Sequence, residues 1–136
     1  MKNRFSLQQF RSLISRMPFN ASLGIRVTRL HRDGVTIECP FRDDFRNGAG
    51  VLHGGVTATM ADVAAGMAIT NHFGARHPAT TIEMKVNFFR PVTGGKIVAR
   101  SHLLRAGNTV CVSRVDLFDE DRRLVGAALV TYMLLK

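Results

Sequence analysis

Between Asn47 and Gly66 the chain reads NGAGVLHGGVTATMADVAAG, with one carboxylate, Asp62, set among alanine, methionine and valine. A charge in apolar surroundings loses hydration, so such a position calls for a partner or a task. An aspartate there can attack an electrophilic carbon or take a proton from water. Nine residues earlier stands His53, followed by Gly54 and Gly55. A helix opening at this point exposes unpaired N–H groups and a partial positive charge. Glycine lets a ligand approach that backbone closely, and such an end can hold an anion or a developing oxyanion.

Three neighbours join these residues as candidates. Asn47 can orient a water or a carbonyl, or act as a turn residue. His53 can donate a hydrogen bond or fix the loop. Thr81 opens the next strand-like run, and its hydroxyl reaches Asp62 if that strand crosses the middle of the helix. Each also has a plain structural reading: a tight turn, an interface aspartate, an ordinary strand threonine. His31, His72, His77 and His102 show no nucleophile or metal spacing.

These residues need elements to position them. Ser6 and Gln9 fit a capping box, and Phe5 with Phe10 a hydrophobic staple, for a helix over about 7–17. Phe10, Leu13, Ile14 and Met17 form its apolar stripe, and Pro18 ends it. GIRVTRLH and VTIECPF alternate on either side of Arg32-Asp33-Gly34 and predict a hairpin. From Gly54 to about His72 small and apolar residues continue all round, which predicts a buried helix. TIEMKVNFF, KIVARSHLLRA, TVCVSRVDLFD and RLVGAALVTYMLL then predict four strands. The expected class is α+β, one domain over 1–136, with an antiparallel sheet packed on one long helix.

Spacing along that helix raises a further expectation. At 1.5 Å per residue, Gly54 and Asp62 stand roughly 12 Å apart along the axis. One chain cannot easily aim both at one small reacting group. Two antiparallel copies of the helix in a twofold dimer can, and the small side chains suit close pairing.

Composition narrows the classes. No apolar run is long enough to span a membrane. MKNRFSLQQFRSL lacks the apolar core of a secretory signal, so the expected compartment is the cytoplasm. Cys39 and Cys111 are isolated in apolar runs, as core residues rather than zinc ligands, and no metal is expected. The net charge of +9 favours anionic partners. Its positive residues are scattered, with a loose group at Arg90, Lys96, Arg100, Arg105 and Arg114, and the chain has no Trp and one Tyr. That argues against nucleic acid.

The residues quoted above, together with PFNASLGIRV, TTIEMKVNFFRP and the RAGN turn, resemble the hotdog-fold acyl-CoA thioesterases, in their phenylacetyl-CoA thioesterase-like branch. The resemblance runs through nearly the whole chain. It implies a hotdog fold, a long sheet wrapped around a central helix, and a homodimer with continuous sheets, often paired into a homotetramer. It implies hydrolysis of an acyl- or aryl-acyl-CoA to free acid and CoA. The coenzyme A is then part of the substrate, and no separate cofactor is needed. By position, Asp62 matches the catalytic carboxylate, Gly54 N–H the donor to the thioester carbonyl, Asn47 a residue that places water or carbonyl, and His53 and Thr81 supporting neighbours. Gly55 and Met60 are expected to bind substrate, with pocket depth depending on where Met60, Met67, Phe88 and the N-terminal helix fall, and Arg90, Arg105 and Gly107 are expected near the CoA phosphates. A non-catalytic acyl-CoA sensor and a hotdog hydratase or dehydratase are the alternatives. The sensor class could lose Asp62, and the hydratases use a His and an acidic residue around a Pro-rich loop.

Overall fold

The sheet is a single antiparallel one of six strands in the order β1-β2-β4-β5-β6-β3. Its strands are β1 (Arg26–His31), β2 (Gly34–Pro40), β3 (Ala79–Phe88), β4 (Lys96–Ala106), β5 (Val110–Asp119) and β6 (Leu124–Leu134). The computed structural model describes residues 5–74 and 77–135. The charged start of the N-terminal amphipathic stretch, residues 1–4, lies outside them.

Helix α3 (Gly54–Phe73) packs on β2, β4 and β5, and its small side chains let the sheet come close. Met60, Ala61, Ala64, Ala65 and Ile69 meet Val35, Ile37, Ile97, Val115 and Val130 in one core. Asn71, buried near the end of α3, donates its amide hydrogens to the His31 and Gly34 carbonyls. That bond pair fixes the helix against the β1–β2 turn. Gly34 is required there, because a Cβ would lie 2.0 Å from the Ser101 carbonyl oxygen. Cys39 and Cys111 are buried, free thiols, and burial pushes Cys39 up to about 11.

Helix α1 (Leu7–Ser15) begins on the expected capping box, with Phe5 and Phe10 in edge-to-face contact. It ends two residues earlier than expected. Pro18 then opens a second, short helix, α2 (Pro18–Ser22), because proline is well suited to a first helical position.

The alternation of β3 is not that of a half-buried strand. Most of it is exposed on both faces, including Ile82 and Met84, and it is a sheet edge with one free side.

Candidate active site

The side chain of Asp62 lies under the start of β3 and the end of β6. Its Oδ1 accepts two hydroxyl hydrogen bonds, from Thr81 Oγ1 at 2.6 Å and from Tyr132 Oη at 2.8 Å. Thr81 and Tyr132 are direct cross-strand partners, so the β3–β6 register brings both hydroxyls to the same carboxylate oxygen. Oδ2 has no protein donor among the described residues. The carboxylate is therefore held on one oxygen and available on the other.

A second cluster forms at the opening of α3. A cavity of about 330 Å³ is lined by Asn47, Gly54, Thr57, Phe88 and Arg90. His53 caps the helix: its Nδ1 accepts the Gly55 N–H at 2.8 Å. The Gly54 N–H has no partner among the described residues. Asn47 Oδ1 accepts the N–H groups of Ala49 and Val51 at 3.0 and 3.2 Å, which makes it a turn residue whose amide nitrogen is left over.

Two expectations need correction. The Gly55 donor is taken by His53, so it is not offered to a ligand. Met60 is wholly buried in this chain, where it fills the core. Met67 is also core. The N-terminal helix does shape a cavity, an apolar groove of about 490 Å³ between α1 and the residues Thr70 and Pro78.

The basic residues sort by their partners. Lys96 pairs with Glu38 at 3.0 Å, Arg100 with Asp33 at 2.7 Å and Arg114 with Asp116 at 3.6 Å. Arg90 and Arg105 have no carboxylate in reach among the described residues. They sit at opposite ends of the sheet. Arg105 and Gly107 adjoin the β4–β5 turn, where Ala106 pairs with Cys111, Cys111 with Tyr132, and Tyr132 with Thr81. Arg90 follows the far end of β3, beside Gly54. Gly107 is needed for the turn itself, since a Cβ would lie 2.5 Å from the Val110 carbonyl oxygen.

A single chain thus carries two separate clusters. Asp62, Thr81 and Tyr132 lie at one end of β3, with Arg105 at the same end of the sheet but on β4, beyond β6 and β5, and Gly54, Asn47, Phe88 and Arg90 lie at the other end of β3. Among the described residues no group of three His, Cys, Asp or Glu side chains could hold a metal ion, and no helix is long and apolar enough to cross a membrane.

The sequence profile of the thioesterase superfamily matches residues 49–126, a span that holds Gly54, Asp62 and Thr81. The chain belongs to the thioesterase superfamily. Its activity is that of a thioester hydrolase, and the antiparallel sheet around one long helix is the hotdog fold. This thioesterase is 36% identical over 134 residues to a Salmonella typhimurium protein named medium/long-chain acyl-CoA thioesterase YigI, covering 86% of this chain and 85% of that one. The Escherichia coli K12 protein of the same name is 33% identical over 138 residues, with the same coverages. Among solved structures, a Haemophilus influenzae thioesterase superposes with a TM-score of 0.90 at 24% identity, over 99% of this chain and 94% of that one. A thioesterase family protein from Silicibacter pomeroyi gives 0.85 at 28% identity, over 94% and 96%.

Tyr132 is the site residue that the sequence reading missed. It is 70 residues from Asp62, and no local spacing links the two. The available signal is that it is the only tyrosine, at an inward-facing position of a strand, where a buried phenol needs a hydrogen-bond partner.

Proposed function

We propose that this thioesterase hydrolyses acyl-CoA thioesters of medium to long chain at a site shared between two subunits, with Asp62 as the reacting carboxylate. The carrying observation is the Asp62 carboxylate, held through Oδ1 by Thr81 and Tyr132 with Oδ2 available. The chain-length class rests on the likeness to the two YigI proteins.

The subunit arrangement follows from the edge strand. A long, exposed edge is a template for pairing with a second copy. If two β3 strands pair antiparallel, the Thr81 end of one meets the Phe88 end of the other. Asp62 of one chain then faces Gly54, Asn47 and Arg90 of the second. This is the juxtaposition that a 12 Å spacing along one helix withholds from a single chain.

In that site the Gly54 N–H polarises the thioester carbonyl and takes up the negative charge of the tetrahedral adduct. Oδ2 of Asp62 either removes a proton from the attacking water or adds to the carbonyl itself. In the first route the adduct collapses, and the C–S bond electrons leave with sulfur. The CoA thiolate then takes back the proton. In the second route Oδ2 bonds to the acyl carbon as the C–S bond breaks and the CoA thiolate leaves; water then cleaves the mixed anhydride, its hydroxyl going to the acyl carbon and its proton to the thiolate, which releases the acid and restores the carboxylate. The unpaired Arg90 and Arg105 meet the CoA phosphates.

The test is turnover of a panel of straight-chain and aryl acyl-CoAs by wild type and Asp62→Asn, read as free thiol. Wild type is expected to prefer medium and long chains. Asp62→Asn is expected to lose at least about a hundredfold in kcat, the scale of a lost general base. Near-normal turnover in that variant rejects Asp62 as the reacting group. Tight acyl-CoA binding by wild type without thiol release favours the sensor reading.

A further inference from the structure

We propose that Tyr132 is a positioning residue for the Asp62 carboxylate, and that Gly66 is the residue that admits it. The proposal rests on the reading of Asp62 as the reacting group. The Tyr132 hydroxyl lies 2.8 Å from Asp62 Oδ1 and 2.9 Å from the main-chain oxygen of the same residue. It has one proton and two acceptors, both on Asp62. Thr81 supplies a second hydroxyl, to Oδ1 at 2.6 Å.

Gly66 stands one helical turn after Asp62, directly beneath the phenol. A Cβ at Gly66 would lie 2.9 Å from the hydroxyl oxygen and 3.3 Å from the ring carbon that bears it. The glycine therefore opens the space through which a tyrosine from β6 reaches a carboxylate on α3. Burial pushes the phenol well above its usual range; the Thr81 hydrogen bond lowers it by less, and the charge and hydrogen bond of Asp62 add to the rise. The protonated phenol is therefore the donor in its contacts with Asp62.

Two consequences follow for the reaction. With Oδ1 held by two donors, the carboxylate cannot rotate freely, and Oδ2 stays presented to the substrate. When Oδ2 takes a proton or forms the anhydride bond, the charge on Oδ1 falls. The phenol hydrogen then turns about the C–O bond to the Asp62 main-chain oxygen, and turns back when the carboxylate is restored. No O–H bond of Tyr132 breaks in the cycle.

The experiment is steady-state kinetics of Tyr132→Phe, Gly66→Ala and the double variant with one acyl-CoA across pH, beside Asp62→Asn. Tyr132→Phe removes one oxygen and keeps the ring. A hydrogen bond to a charged group on this scale corresponds to about a 10- to 100-fold loss in kcat with KM little changed. A carboxylate that loses a donor holds its proton more tightly, so the acid limb of the kcat profile moves to higher pH. Gly66→Ala pushes the hydroxyl away and is expected to lose kcat to a similar degree. In the double variant the displaced oxygen is absent, so the second loss does not add to the first. Wild-type kcat and an unmoved acid limb in Tyr132→Phe overturn the proposal, as do losses that multiply in the double variant. A loss confined to KM overturns it too. If Tyr132→Phe behaves as wild type while Asp62→Asn is inactive, only the Tyr132 assignment fails. If Asp62→Asn retains turnover, the underlying reading fails with it.

Discussion

Asp62 was visible in the sequence because a carboxylate among alanines stands out, and the His-Gly-Gly before it marks a helix start. What surrounds it was visible in part. Thr81 could be named because it opens the strand that follows the helix, whereas Tyr132 belongs to a strand 70 residues away and is placed only by sheet register. Charge pairing was equally hidden: five basic residues look alike in sequence, and only the fold shows that three of them already hold a carboxylate. That sorting carries a prediction. Arg90→Gln and Arg105→Gln each remove a cation that has no acidic partner among the described residues, so neither change should disturb the fold. Each is expected to raise KM for acyl-CoA by about three- to tenfold, from about 1 kcal/mol of lost phosphate attraction, with kcat nearly unchanged. Adding salt should narrow the gap between variant and wild type, since screening weakens the same attraction. The measurement is KM at two ionic strengths. A fall in kcat with constant KM would place the arginines in the chemistry instead.

The elements were more legible than the contacts between them. The capping box, the period-two runs and the small-residue helix each carry a local signal, and all appear where the pattern puts them. The short helix α2 did not, because a proline that ends one helix also suits the start of another. The β1–β2 turn reads as a turn, but its anchoring is tertiary. Asp33 in that turn accepts from Arg100 at 2.7 Å and meets His102 Nδ1 at 2.9 Å, while His102 Nε2 lies 3.5 Å from Asp116. These side chains tie the hairpin to β4 and β5. Burial pushes the Asp33 carboxyl up, but the Arg100 and His102 hydrogen bonds and charges outweigh it and hold the group at about 2, below an aspartate's usual 3.8. A carboxylate depressed in the folded state adds stability above its unfolded pKa, and the contribution is lost as pH falls through the folded value. Thermal melts should therefore show a stability component present above about pH 4 that fades towards pH 2. Asp33→Asn should lack that component and melt with a flatter acid slope. The group is partly exposed, so high salt should shrink the difference. Identical acid slopes in the two proteins would show that the turn is not held by this carboxylate.

At the scale of the whole molecule the two clusters at opposite ends of β3 make the strongest case for a second copy. The 12 Å helix spacing suggested it from sequence, and the exposed edge strand supplies a way to meet it. A dimer built on that edge has two sites, each with Asp62 from one chain and Gly54 with Asn47 from the other. Consider one inactive variant at each cluster, Asp62→Asn and Asn47→Ala, prepared separately and then mixed in equal amounts under conditions where subunits exchange. Random pairing makes about half of the dimers mixed. In a mixed dimer one site collects both defects and the other collects neither. About one quarter of all sites are then intact, and thiol release should rise from near zero to about a quarter of wild type. If each chain held a complete site of its own, every site would carry one defect and mixing would restore nothing. Exchange is verified by tagging one variant and recovering the untagged one with it. Full exchange without recovery would place both clusters in independent sites and remove the basis for a shared one. Recovery near one quarter would also explain why an exposed, partly apolar edge is kept at β3: the edge aligns the two half-sites.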